Sequence, residues 1–155
     1  MTNTDAAWLA GIIDGEGCIT ITRQAPGTDR RKNWSYRLYV KVTMGHEPTV
    51  RRIATLVGCG AVTTWKPLKH NRSWTWWAAS REALAVLTRI RPYLITKAEE
   101  ADIAAEWGRL PLSPRGGSRG SRETPPDLLA ARHSLFIRLR EVKPGARFRA
   151  AIPAS

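Results

Sequence analysis

The chain has 155 residues, 43% hydrophobic and 25% charged, a composition that suits one globular domain able to bury a core without metals or disulfides. Its 25 Lys and Arg against 13 Asp and Glu give a net charge of +12 and a pI near 10.8. That balance points to a polyanion, nucleic acid first, and away from a membrane, because the basic residues are not gathered on one amphipathic helix and no apolar run is long enough to span a bilayer.

The N-terminus, Met1-Thr-Asn-Thr-Asp5, lacks the basic-then-apolar order of a signal peptide. Cys18 and Cys59 lie among apolar residues and read as buried thiols of a reducing compartment, so an intracellular protein is expected, in the cytoplasm or an organellar matrix. No Cys or His pair has zinc-ligand spacing. Thr4 or Asp5 can cap a first helix that runs to about Gly15. Ala7, Gly11 and Gly15 fall at i, i+4 and i+8 on one face of it. A glycine inside a helix costs roughly 1 kcal/mol relative to alanine, and close approach of a second helix is one reason to keep two. Glu16 follows, between Gly15 and Gly17.

Strand one is Cys18–Gln24, with Ile19 and Ile21 on one face and Thr20, Thr22 and Gln24 on the other. A basic, turn-rich loop carries Arg30, Arg31 and Lys32. Strand two, Trp34–Met44, alternates Tyr36, Leu38, Val40 and Val42 with Ser35, Arg37, Tyr39, Lys41 and Thr43. Pro48 suits the first turn of a second helix, with Val50, Ile53, Ala54 and Val57 as its stripe and Gly58 and Gly60 as its stop. Strand three is Ala61–Lys66 and strand four Ser73–Ala79. Ser80 can cap a third helix with Leu84, Leu87, Ile90 and Leu94 inside. Thr96-Lys-Ala-Glu99 reads as a capping box for a fourth helix from Lys97 to about Gly108. Residues 109–126 read as a flexible basic loop, 127–143 as an appended helix and 144–155 as a disordered tail. The expected fold class is therefore α+β: a curved four-stranded antiparallel sheet with helices on one face, in the order α-β-β-α-β-β-α-α plus a C-terminal helix.

A sheet covered on one side leaves the other to a ligand. Its bare face is expected to carry Thr20, Thr22, Gln24, Ser35, Arg37, Tyr39, Lys41, Thr43, Thr63, Trp65, Arg72, Trp74 and Trp76, with Lys66 beside it. Arg, Lys, Gln and Thr can read base edges in a DNA major groove, while Arg30, Arg31 and Lys32 suit phosphates. Two placements stay open for Trp65, Trp74 and Trp76: rings on the bare face, or rings in the core if the alternation fails.

Leu9-Ala-Gly-Ile-Ile-Asp-Gly-Glu-Gly17, followed at once by a strand, resembles the motif of the LAGLIDADG homing endonucleases. The departure that matters is Glu16, where the motif most often has Asp. The resemblance covers about the first two-thirds of the chain, residues 1–108. It implies a site-specific endonuclease that hydrolyses both strands of a long, roughly palindromic double-stranded DNA site. A single motif implies a homodimer with isologous packing through Ala7, Gly11 and Gly15. Glu16 would be a metal ligand, helped by the carbonyl of Gly15, and the metal Mg2+ or Mn2+. Pro92–Lys97 resembles the family segment that places a lysine near the cleavage site, which makes Lys97 the second candidate catalytic group. The family often has a polar residue such as glutamine where this chain has Met44, and His46 or Glu47 are the possible substitutes. The alternatives are a non-catalytic relative that binds DNA or RNA, as a transcription regulator or intron maturase, and a basic structural or ribosome-associated protein.

Overall fold

A computed structural model describes residues 1–27, 33–66, 72–111 and 124–143. The order is α1 (Asn3–Glu16), β1 (Gly17–Gln24), β2 (Ser35–Met44), α2 (Glu47–Val57), β3 (Ala61–Trp65), β4 (Ser73–Ala79), α3 (Arg81–Ile90), a 3-10 turn (Arg91–Tyr93), α4 (Ala98–Arg109) and α5 (Pro126–Glu141). This is the expected α+β order. Among the described residues no helix is long and apolar enough to cross a membrane. Arg30, Arg31 and Lys32, most of the expected loop at 109–126 and the tail from 144 lie outside the described residues.

The first helix starts earlier than expected. Thr2, not Thr4 or Asp5, is the cap: its hydroxyl accepts from Asp5 N (3.1 Å), and the Asp5 carboxylate accepts from Thr2 N (2.9 Å). That reciprocal pair satisfies two of the donors a helix start leaves open. Burial holds the Ala6, Leu9, Ala10 and Ile13 face of α1 inside. Its end is fixed by Gly17, whose N–H donates to Ile13 O. A Cβ on Gly17 would sit 2.6 Å from that same oxygen, so only glycine lets the chain turn from helix into strand here.

The strands form one open antiparallel sheet in the order β1-β2-β4-β3. Ile19, Ile21, Leu38, Val40 and Val42 are buried beneath the helices, as the alternation of β1 and β2 requires. In β4 the phase is the reverse of the expected one. Trp76 is 0% exposed, and its indole N–H donates to Cys59 O at 3.0 Å. Ala78 is buried beside it. Trp74 shares that face and packs partly buried on the core. Both are corrections to the bare-face list. The physical reason is that Trp74, Trp76 and Trp77 leave the apolar phase of β4 ambiguous, and Val42 and Val62, its register partners, accept Trp76.

Gly58 at φ +71 closes α2 in the left-handed conformation that favours glycine. Ser80 holds the cap position of α3 without a side-chain cap bond. The Thr96–Glu99 capping box does not form. Lys97 occupies the cap position of α4, and the Thr96 hydroxyl is turned to Asp14 instead (2.9 Å). The C-terminal helix is part of the core: Leu135 and Leu139 join the main cluster. Arg138 grips Glu106 of α4 through both guanidinium nitrogens (2.5 and 2.9 Å), and His133 Nδ1 shares a 3.0 Å hydrogen bond with Tyr36 OH of β2.

Candidate nucleic-acid interface and reaction centre

The bare face of the sheet is built in rows set by the register. Gln24 pairs with Ser35, Thr22 with Arg37 and Thr20 with Tyr39. Tyr39 pairs in turn with Ala79, Lys41 with Trp77 and Thr43 with Thr75, and Thr75 pairs with Thr63. None of these side chains is buried, and Gln24, Arg37, Thr43 and Thr63 are exposed. Trp65, 67% exposed, lies on the same face at the far end of β3. Lys66 and Arg72 are exposed just past the strand ends, with the Arg72 guanidinium 5.9 Å from the Trp74 ring centroid. Two residues of this face were missed from sequence. Trp77 stands where Trp76 was expected and tilts against Tyr39, their centroids 6.0 Å apart. Thr75 shares a 2.8 Å hydroxyl–hydroxyl bond with Thr43. The doubled tryptophan at 76–77 was the one available signal, since consecutive strand residues must face opposite ways.

The face ends at the α1–β1 junction, because Gly17 pairs with Val42. Glu16 and Gly15 are exposed there. Asp14, one residue further back, is turned inward onto α4. Its Oδ2 accepts from Ile95 N (2.7 Å), and its Oδ1 from Thr96 Oγ1 (2.9 Å) and Lys97 N (2.9 Å). Burial works to raise the Asp14 pKa, but the hydrogen bonds from Ile95, Lys97 and Thr96 outweigh it and leave the carboxyl below its ordinary value. Asp14 thus supplies from α1 the cap that α4 lacks in its own sequence. The Lys97 Nζ donates to Asp14 O at 2.5 Å. The fold therefore brings Lys97 to within two residues of Glu16 along the contact, although the two candidates are far apart in sequence.

Met44 points away from this centre. It pairs beside Trp74 and packs against the core from the helix-covered side, so it presents nothing to the bare face. His46 Nδ1 is engaged by Thr49 Oγ1 (2.8 Å) and Glu47 by Arg51 (2.7 Å). Neither is bonded to the Glu16 end of the chain. A hollow of about 730 Å³ opens elsewhere, between Arg37 and Tyr39 and the end of α4 at Trp107. It includes neither Glu16 nor Lys97, and a duplex needs a broad charged surface rather than a cavity.

Along α1, the exposed face carries Ala7, Gly11 and Gly15. A Cβ added at Gly11 or at Gly15 would meet nothing within 4 Å. Unlike Gly17, these two glycines are not required by anything the described chain packs there. Ile95, 84% exposed, stands beside Asp14.

As for a metal, no group of three His, Cys, Asp or Glu able to hold one occurs among the described residues. Glu16 and the carbonyls of the last turn of α1 are hard oxygen donors of the kind Mg2+ takes. They fit part of a coordination shell, not the whole of one.

An open sheet with one polar, basic face, entered from a small-residue helix that ends in an exposed acid, is the architecture of the LAGLIDADG homing endonucleases, and comparison with solved structures agrees. The homing endonuclease I-CvuI, in complex with its target in the presence of calcium, matches with a TM-score of 0.73 at 19% identity, over 92% of this chain and 84% of its own. I-CvuI with the I-CreI target and magnesium gives 0.71 at 21%, over 92% and 83%. The archaeal intron-encoded I-Vdi141I, complexed with DNA, gives 0.62 at 12%, over 91% and 85%. No family model and no curated protein matches the chain. The chain has the LAGLIDADG homing-endonuclease fold.

Proposed function

We propose that this protein is a site-specific DNA endonuclease that acts as a homodimer on double-stranded DNA with a divalent metal. The observation that carries this reading is the junction at Glu16: an exposed carboxylate at the end of a bare small-residue helix, at the edge of a polar sheet face, with Lys97 donating to the carbonyl of Asp14 two residues before it. The neighbours with this fold are homing endonucleases, several of them bound to DNA.

On this reading the rows from Gln24–Ser35 to Lys41–Trp77 lie along the major groove, where Arg, Lys, Gln and Thr meet base edges and Trp77 and Tyr39 present apolar surface to thymine methyl groups. The bare face of α1 takes a second copy of itself through Ala7, Gly11 and Gly15, and the exposed Ile95 adds apolar area at the same end. Isologous pairing brings two Glu16 carboxylates together, completing an oxygen shell that one chain leaves partial. Glu16 and the Gly15 carbonyl would hold Mg2+ or Mn2+, which supplies charge neutralisation and a more acidic water when bound. Lys97 places a positive charge against the scissile phosphate. The Thr43–Thr75 hydroxyl pair, next in register after Gly17–Val42, orders water in place of Met44.

The test is to recover duplexes bound by the purified protein from a randomised pool, then to challenge a plasmid carrying the recovered site. Wild type with Mg2+ should nick or linearise it, and Glu16→Gln should bind it without cutting. Equal cutting by the two would refute the role of Glu16. Tight binding with no cutting in either Mg2+ or Mn2+ would select a non-catalytic DNA-binding protein, the reading that the turned-away Met44 favours.

A further inference from the structure

β2 outruns β4. On one side β1 pairs with it as far as Ser35; on the other β4 pairs only with Tyr39 to Met44. Ser80 N then donates to Leu38 O (2.8 Å), and the chain turns away into α3. Ser80 makes that turn at φ +52, a conformation residues other than glycine rarely adopt. Among the described residues Ser35 to Arg37 therefore have no strand on the β4 side, and the hollow of about 730 Å³ opens at this edge.

Two walls meet there. One is the end of the bare sheet face, with Thr22, Gln24, Ser35 and Arg37. The other comes from the helices, with Arg81 at the start of α3, Trp107 near the end of α4 and Arg132 on α5. Arg132 is 8% exposed. Its Nη2 donates to Pro111 O (2.8 Å), and its guanidinium stands 5.5 Å from the Trp107 ring centroid, so the fold sets its position. Arg81 is exposed. It opens a helix of 10 residues whose cap residue, Ser80, makes no side-chain cap bond, so the positive end of the α3 dipole adds to the two guanidiniums. Glu82 is the acid among the described lining residues.

A duplex cannot enter this space, but one of its backbones can cross the mouth. Guanidinium groups and helix N-termini are the groups that hold phosphate oxygens, and the mouth is continuous with the face whose rows are read as facing the groove. We propose that the hollow is a phosphate site that holds the DNA backbone just outside the base pairs met by the outermost rows, Gln24–Ser35 and Thr22–Arg37, with Arg81 and Arg132 as its cations. Such a contact reads no sequence; it fixes the register of the rows on the duplex. It gives α5 a part in binding as well as in the core, and it rests on the duplex reading given above.

The first arm of the test needs no DNA. Inorganic phosphate is titrated into the wild-type protein while the arginine Nε–H signals are followed by NMR. Those of Arg81 and Arg132 should shift together and saturate, and Arg81→Met should weaken the binding read at Arg132 several-fold. Phosphate that leaves both signals unmoved overturns the proposal. The second arm uses a duplex recovered from the randomised pool, either trimmed to its selected base pairs or lengthened by half a helical turn at each end. Wild type should bind the lengthened duplex more tightly. Arg81→Met should lose that gain and reduce the slope of log affinity against log salt by about 0.9 per protomer, with base preference unchanged. Arg81→Lys should keep the slope. Arg51→Met, on α2 where Arg51 bonds Glu47, is the control and should keep both slope and gain. A wild-type slope in Arg81→Met, an altered base preference, or an equal fall in Arg51→Met overturns the proposal. Arg81 is exposed, so these variants test the site without replacing the buried Arg132. If the wild-type protein selects no duplex, the function reading fails on its own, and the first arm still decides whether the hollow holds phosphate.

Discussion

Replacing Asp14 with Asn keeps the shape of the side chain and removes its charge. The carboxylate accepts three hydrogen bonds from the segment that opens α4, with Ile95 N on one oxygen and Thr96 Oγ1 and Lys97 N on the other. Asparagine can keep the pair on its carbonyl, but its NH2 then faces the Ile95 N–H, donor to donor. A hydrogen bond to a charged group contributes about 1.5–3 kcal/mol and a helix cap about 1 kcal/mol. The site is partly open to solvent, which pulls the sum down to about 2 kcal/mol. With an m-value of about 2 kcal/mol/M, the urea midpoint at pH 7 should fall by about 1 M, and the Ile95 and Lys97 amides should lose protection from exchange ahead of the rest of α4. The effect also has a pH signature. Folding lowers the Asp14 pKa, so its contribution is complete above the unfolded-chain value of about 3.9 and is lost as pH falls through the lower folded-state value. The gap between wild type and Asp14→Asn should therefore be full at about pH 5 to 7 and close on acidification below the unfolded-chain value. A variant as stable as wild type, or a gap that does not change down to acid pH, would refute Asp14 as the cap of α4.

Gly11→Leu should leave the melting temperature of the chain unlowered, since a Cβ there meets nothing, yet make the protein monomeric by light scattering and abolish cleavage; a stable dimer of that variant would remove α1 from the interface. Trp76→Phe should cost about 1–3 kcal/mol through the lost bond to Cys59 O and the lost volume, whereas Trp77→Ala should melt closer to wild type and bind duplex more weakly. The reverse order would invert the two faces of β4. Arg37→Met and Lys41→Met should each weaken binding to the recovered duplex by about 1–3 kcal/mol and relax its preference at the base pair each meets; unchanged affinity and preference in both would take these side chains off the base edges.

How much of this was legible in the sequence depends on which interactions are local. β1 and β2 alternate cleanly, so their buried and bare faces could be read directly. β4 could not, because Trp74, Thr75, Trp76 and Trp77 satisfy either phase, and the choice is made by Val42 and Val62 across the sheet. The start of α1 was missed by two or three residues because Thr2, Thr4 and Asp5 are all competent caps, and the reciprocal bond between Thr2 and Asp5 decides. The capping box of α4 failed for a different reason. Thr96 does have the right spacing to Glu99, but the Asp14 carboxylate, 82 positions away on another helix, takes the Thr96 hydroxyl as a donor and so removes it as the acceptor the box needs. The motif around Glu16 was legible as a pattern; the inward turn of Asp14 and the pairing of Cys18 with Lys143 are tertiary and leave no trace in spacing.

The separate fates of Asp14 and Glu16 follow from helix geometry. Two positions at about 100° each put them about 200° apart around α1, so a helix that commits Asp14 to α4 must send Glu16 to the opposite side, which here is solvent. The same rotation leaves Ala7, Gly11 and Gly15 facing outward, and both glycines have space for side chains they do not have. Two interior glycines on an exposed helix face forgo about 2 kcal/mol relative to alanine, a sizeable part of the roughly 5–15 kcal/mol that holds a domain of this kind together. Nothing packed against α1 among the described residues uses that bareness. A second copy of the helix would use it, and would do so at the one place where a lone carboxylate needs a partner to complete a metal site.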